Sequence, residues 1–393
     1  SQSDQRPLQN PKNKLKRGSL TVLILIHIFI DPFCILLQIY SRPYYIYYLF
    51  FPFSREFLLC LEICSVVRPS LLPENINHDI VTEDVSFEKQ KGYPDSVGKG
   101  DKKMELLERN APCWCGSGKK YKKCHEAFDE KLKMYENKGV LIPTHDIIKT
   151  PSQIEKIKES AKINIAVLDY VAEHIQAGIT TQEIDDWVYK ITTEAGAIPA
   201  PLDYEGYPKS VCTSINEQVC HGIPSEDIVL QEGDIINVDV STILDGYFSD
   251  SSRMFCIGEV SPEKQRLVDI TKECVEKGLA QVKPWGFLGD MSQAVYDHAH
   301  ANGYSVVREI GGHGVGLEFH EDPWVGYIGK AGTGMLLVPG MIFTIEPMIN
   351  MGGPEIFVDD SDGWTVYTED GKPSAQWEIM VLVTEEGTEV LAY

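Results

Sequence analysis

Methionine, alanine and tryptophan are missing from residues 1–103, although the chain of 393 residues carries 9 Met and 6 Trp elsewhere. The residue types favoured there are largely those of AT-rich codons. Gly98-Lys99-Gly100-Asp101, just ahead of Met104, back-translates to a purine-rich run like a bacterial ribosome-binding site. The expectation is that translation starts at Met104 and that 1–103 is a spurious or disordered extension. A signal-anchor is the rival, with Lys12–Arg17 basic and Leu20–Ile30 apolar, but no small-residue cleavage site follows. Long apolar runs are lacking too: Leu20–Ile30 spans 11 residues before Asp31-Pro32, short of the roughly 20 a spanning helix needs, so no membrane is expected. Positive charge is scarce, with 36 Lys and Arg against 58 Asp and Glu, a net charge of −22. That balance argues against general binding to DNA or an anionic membrane. The deficit lies in the last 290 residues, with 23 basic and 47 acidic groups. Regular cysteine spacing is absent as well. Ten irregularly placed cysteines do not make a secreted disulfide framework and point to a reducing compartment, the cytoplasm.

Against these absences stand three concentrated features. The first is Cys113-Trp114-Cys115, eight residues, then Cys124-His125. Tetrahedral zinc takes four such ligands, and the Gly116-Ser117-Gly118 turn folds the chain back to supply them. A segment this poor in apolar residues needs the metal to fold. It resembles the SEC-C zinc motif over 104–130. Lys119, Lys120, Lys122 and Lys123 make the motif basic against an acidic body; solvated surface is the plain reading, and salt-sensitive contact with the ribosome the functional one.

The second feature is a duplication within 131–393. Glu126–Asn137 is expected as a charged helical linker, then an extended Leu141–His145. Thr150-Pro151-Ser152-Gln153 opens a long amphipathic helix with Ile154, Ile157, Ala161, Ile165, Leu168 and Val171 on one face. Thr180 to Glu183 is a capping box for the next helix, through Trp187, Val188 and Ile191. Ser261-Pro262-Glu263 caps a helix reaching about Val282, and Asp290–Ala301 forms another. Strands are expected at Ile235–Ile243, Tyr247–Ile257, Met341–Ile349, Thr365–Tyr367 and Glu378–Thr384. Two helices and a hairpin, stated twice, imply an α+β fold with a pseudo-twofold: helices outside, a curved antiparallel sheet inside.

The third feature rides on that repeat. Gly233 and Gly340 each lead into an apolar strand with a carboxylate six residues on, Asp239 and Glu346. Asp250 and Glu378 follow on returning strands, and His313 lies between the copies in Gly-Gly-His-Gly-Val-Gly. Alternation puts Ile235, Asn237 and Asp239 on one face, opposite Ile236, Val238 and Val240. Asp250 returns across Asp245-Gly246, an ordinary hairpin turn. Four acids and one histidine suit two divalent ions, Mn, Fe, Co or Zn, with a water between them whose pKa is depressed enough to attack a peptide carbonyl. Separate salt bridges are the competing explanation, but the flanking strands supply only Arg253.

Four stretches together resemble the methionine aminopeptidases: Pro208-Lys-Ser-Val-Cys-Thr-Ser-Ile-Asn216, Val219-Cys-His-Gly-Ile-Pro224, Gly312-His-Gly-Val-Gly316 and Phe319-His320-Glu321. The likeness runs from about Ile147 to Tyr393 and implies a pita-bread fold, a dinuclear centre and removal of initiator methionine from nascent chains when the second residue is small. It implies Asp239, Asp250, His313, Glu346 and Glu378 as ligands, His221 and His320 as groups that bind substrate and intermediate, and Glu346 as proton shuttle. Tyr204, Tyr207, Cys212, Phe319 and Trp364 would line the methionine pocket, while Pro201 stands where some relatives have cysteine. The short interval between Glu346 and Glu378 leaves no room for the type II insertion, so the likeness is to type I enzymes with an N-terminal SEC-C motif. A monomer is the default. Two other readings share the fold: an Xaa-Pro dipeptidase, and a pseudoenzyme adaptor, whose mark would be lost ligands; none is lost.

Overall fold

Threonine caps begin the first helical pair. Thr150 accepts from the Gln153 amide while Gln153 returns a bond to the Thr150 amide, and Pro151 sits in the first turn. Thr180 and Glu183 repeat the box. The helices they start, Pro151–His174 and Thr181–Glu194, have counterparts in Pro262–Leu279, capped by Ser261, and Leu288–Ala301. The computed structural model describes residues 104–393 in full and, before them, the backbone of three strands, Ile24–Ile30, Phe33–Ile39 and Tyr47–Pro52, paired as an antiparallel meander. The rest of the expected extension, including Lys12–Arg17, lies outside the described residues. Residues 104–393 belong to one compact unit and the three strands to another. Among the described residues no helix is long and apolar enough to cross a membrane.

The first helix packs on a face rotated from the expected one. Ile157, Ala161, Leu168 and Val171 are buried as anticipated, but Ser160, Asn164 and Val167 share that face, while Ile154 and Ile165 are only partly covered. The polar pair is buried because each has backbone work to do. The Ser160 hydroxyl donates to the Thr242 carbonyl at 2.9 Å, and the Asn164 amide donates to the Val240 carbonyl. Both acceptors lie on the strand the helix covers, so the bonds fix helix against sheet.

That strand, Ile235–Leu244, pairs with Tyr247–Cys256 along its whole length, joined by Asp245-Gly246 with φ of 52° and 83°. Positive φ at both central residues matches the twist of the hairpin. On its other side it carries Cys212–Ile215 and Ile198–Pro199. A second sheet runs in the order Glu321–Val325, Gly312–Gly314, Ile342–Ile345, Ile379–Val383, Thr388–Ala392. Ser252 and Glu378 exchange backbone bonds and join the two sheets. One core lies under the first helix pair (Val167, Leu168, Ile184, Ile236, Val238, Val240) and another under the second pair (Leu267, Cys274, Met291, Val295, Phe343, Val381).

The expected single strand Met341–Ile349 is two strands. Ile342–Ile345 pairs with Ile379–Val383, whereas Met348–Asn350 pairs with Ser374–Gln376 and Ser305–Val306. The break falls at Glu346-Pro347, where proline has no amide to continue a ladder. The segment it pairs with breaks likewise, at Trp377-Glu378. Glu346 and Glu378 therefore both stand at corners where the chain leaves one sheet for another.

Candidate metal centre and peptide site

The carboxylates reach one place by register. Ser241 faces Asp250 and Ser252 faces Asp239 across the long hairpin, so Asp239 and Asp250 leave the same face, two residues apart along the ladder. The Ser252–Glu378 bridge sets Glu378 beside them, and Ile345 facing Ile379 brings Glu346 alongside. His313 is fixed by its amide, which donates to Thr344 Oγ1 at 3.0 Å. Its Nδ1–H donates to the Gly314 carbonyl at 3.0 Å, leaving the Nε2 lone pair to face the acids. Nε2 lies 3.7 Å from Asp250 Oδ2 and 3.6 Å from Glu346 Oε1. These gaps are too long for hydrogen bonds and suit donors that share a cation. Ligand atoms of Asp250, His313 and Glu378 lie within 4.8 Å of one another.

Electrostatics point the same way. Burial pushes Asp239 up to about 7 and Glu346 up to about 8. Asp250 and Glu378 are raised well above the usual range, by burial first and then by the neighbouring acids. His313 is pushed down to about 4 by burial and stays neutral, as a ligand must. Asp239 Oδ1 and Glu378 Oε1 are buried with no hydrogen-bond partner. Such orphans cost several kcal/mol unless a cation meets them. Among the described residues no lysine or arginine does so: Arg253 turns instead to Asp169 and the Tyr393 carbonyl. The residues fit bound divalent metal.

Polar side chains hold Asp250 and Glu346, and sequence reasoning passed over them. Thr344 Oγ1 donates to Glu346 Oε1 at 2.6 Å and Gln376 Nε2 to Glu346 Oε2 at 3.0 Å. Ser241 donates to Asp250 Oδ1 at 2.7 Å, and the Tyr327 hydroxyl accepts the Glu346 amide at 2.6 Å. A signal existed for three of them: Ser241, Thr344 and Gln376 each lie two residues from a ligand, on its face of an otherwise apolar stretch. Nothing in the sequence singles out Tyr327.

Beside the acids lies an aromatic group. His320 is 4.2 Å from the His313 ring centroid and stacks on Phe319, and its Nδ1 meets the Tyr204 hydroxyl at 2.9 Å. Tyr204 packs edge-on against Phe319, and Trp364 against Tyr207 and His221. Cys212 faces Asp239 in the adjoining strand. The Tyr207 hydroxyl is spent on the Val211 and Gly222 carbonyls, so its ring alone remains for contact. Gly222 is obligatory in this loop, since a Cβ there would sit 2.1 Å from the Thr213 carbonyl oxygen. The catalytic and pocket residues expected from sequence thus fall in one region, around His313 and the four acids.

The zinc motif closes separately. Cys113 Sγ and Cys124 Sγ lie 3.1 and 3.3 Å from His125 Nδ1, and Cys115 Sγ is 3.5 Å from Cys124 Sγ. Such spans are close to the edges of a tetrahedral zinc site. The module is clasped to the main body by Trp114, which stacks between His125 and His145 and donates from Nε1 to Asp129 at 3.1 Å. Asp129 also meets His145 Nε2 at 3.0 Å. Its helix, Glu126–Glu136, runs across the expected boundary at 130 and buries Leu132 in the main core.

The profile of Metallopeptidase family M24 matches residues 155–385, and that of the SEC-C motif residues 109–127. The chain belongs to family M24. Among M24 relatives, methionine aminopeptidase A of Synechocystis is 52% identical over 239 residues, 61% of this chain and 94% of that protein. Methionine aminopeptidase of Chlamydia trachomatis is 43% identical over 288 residues, 72% of this chain and 98% of that one. The crystal structure of methionine aminopeptidase from Rickettsia prowazekii superposes with a TM-score of 0.62 at 43% identity, covering 63% of this chain and 99% of that chain. A prolidase from Pyrococcus furiosus, at 23% identity and a TM-score of 0.51, shares the M24 fold.

Proposed function

We propose that this chain is a type I methionyl aminopeptidase that removes the initiator methionine from nascent proteins when the second residue is small. The observation that carries the reading is the convergence of Asp239, Asp250, His313, Glu346 and Glu378 beside His221, His320 and an aromatic-thiol wall, in a chain 42–52% identical to proteins named methionine aminopeptidase. Bound ions would polarise the scissile carbonyl and lower the pKa of the attacking water. The protein's own part follows from its bonds. In the tautomer this role requires, the Tyr204 hydroxyl, 2.9 Å away, donates to Nδ1 and the proton of neutral His320 is on Nε2, available to the developing oxyanion. His320 stays neutral because burial, then His313 and His221, push it down to about 2. Glu346, with one oxygen on Thr344 and the other on Gln376, is oriented to carry the proton from water to the leaving amine. Phe319, Tyr204, Tyr207, Trp364 and Cys212 would receive the thioether, which aromatic edges and sulfur suit.

In this reading Cys113, Cys115, Cys124 and His125 hold one structural zinc, and the exposed Lys119, Lys120, Lys122 and Lys123 face ribosomal RNA in the cytoplasm. Assays on Met-Ala-Ser, Met-Pro and Ala-Pro peptides with Mn, Fe, Co and Zn test the activity. Release of methionine from the first alone is expected; cleavage of Ala-Pro would favour a dipeptidase. Asp239→Ala should abolish turnover and lower the bound metal from about three ions per chain; an active Asp239→Ala enzyme would refute the dinuclear reading. Ribosome pelleting at rising salt, with all four lysines changed to alanine, tests the surface.

A further inference from the structure

The group that would act on the substrate, His320, ends the connection between the strands Gly312–Gly314 and Glu321–Val325, within a turn Leu317–Glu321 whose last residue opens the second strand. The turn is fastened from beneath. Glu321 Oε1 accepts the Leu317 amide at 3.0 Å, closing the loop on itself. Glu321 Oε2 pairs with Lys149 Nζ at 2.8 Å. The Lys149 side chain is 0% exposed, and its Nζ also donates to the Ile147 carbonyl at 3.3 Å. Its backbone is pinned in turn, the amide donating to Gly340 at 2.8 Å. Its stem lies against Gly316, where a Cβ would come within 3.4 Å of Lys149 Cε.

A fully buried lysine is an expensive way to hold a fold, because desolvating the ion often costs more than the pair returns, and a packed apolar pair would serve stability as well. What an apolar pair could not do is hold a carboxylate at one orientation, with one oxygen on the turn's own amide. We propose that Lys149 is a positioning residue: through Glu321 it fixes the Leu317–Glu321 turn and so presents His320 to the scissile bond. The inference rests on the reading of His320 as a substrate-contacting group.

The test is a double-mutant cycle. Lys149→Met should lower kcat about 10–100-fold, the loss that a displacement of order 1 Å brings, with bound metal unchanged. Lys149→Met/Glu321→Met should recover the thermal midpoint but not kcat. In a His320→Ala background, Lys149→Met should cost no further activity, since both act through one group. Lys149→Arg, which keeps the charge, should restore part of kcat and serves if Lys149→Met does not fold. An apolar double variant with native kcat, or an equal loss with and without His320, would overturn the proposal. A fully active His320→Ala enzyme would instead remove the reading of His320 itself.

Discussion

Two of the four acids are oriented by neutral donors, Asp250 by Ser241 and Glu346 by Thr344 and Gln376, while Asp239 Oδ1 and Glu378 Oε1 are left with no partner but a cation. Glu346 shows this best: Thr344 and Gln376 take one oxygen each and fix the plane of the carboxylate. Removing one such bond loosens the ligand without removing it. Thr344→Val should therefore lower metal affinity or turnover about 10–100-fold, read by titrating Mn or Co into metal-free protein. Affinity equal to the native protein's would mean that the hydroxyl merely fills space beside the His313 amide it also meets. The proposed ligands stand out in the sequence because a charge inside an apolar strand has a steep cost. Their supporting hydroxyls do not, because Ser and Thr are ordinary strand residues, and only position relative to a ligand marks them.

At the scale of elements, caps and turns translated directly from sequence to structure. Both threonine boxes form, and Asp245-Gly246 adopts the expected hairpin turn. Thr180→Ala should cost about 1 kcal/mol, seen as a lower urea midpoint with unchanged kcat, since the helix it starts carries no site residue. A change in kcat at constant stability would contradict that separation. What periodicity could not give was the sheet each strand joins. Met341–Ile349 reads as one apolar run, yet the chain turns a corner at Glu346-Pro347, and its partner turns at Trp377-Glu378. Both acids need those corners, where a side chain can point along the sheet edge instead of into a packed layer. The first helix illustrates a second limit. Ser160 and Asn164 have no place in an apolar pattern, and only the sheet beneath supplies the carbonyls that draw them inward.

At the scale of the whole molecule, the two halves are joined where four like charges meet, so stability must follow the ions and the protons that compete for the site. In the metal-free protein Asp239 rises to about 7 and Glu346 to about 8, with Asp250 and Glu378 raised as well. An acid whose folded pKa lies above its unfolded value binds more protons when folded. Its contribution is complete at low pH and is lost as pH climbs through the folded pKa. His313, His320 and His221 are all pushed down by burial, so they hold fewer protons folded than unfolded and oppose this slope until the unfolded imidazoles, near 6.5, have deprotonated by about pH 7.5. Cys115, lowered by its hydrogen bonds to Ser117 and the neighbouring thiols although burial opposes this, opposes the slope as well, as a single thiol against four carboxylates. Between about pH 6.5 and 8 the metal-free protein should lose about 1.4 kcal/mol per pH unit for each proton the site holds beyond those on the unfolded histidines. Divalent metal, which needs the same carboxylates deprotonated, should restore more stability at pH 8 than at 6.5. Thermal midpoints by circular dichroism across that range, with and without Mn, measure both slopes. A metal-free midpoint that rises with pH would mean that the carboxylates do not share one buried site, and the joint between the halves would need another explanation.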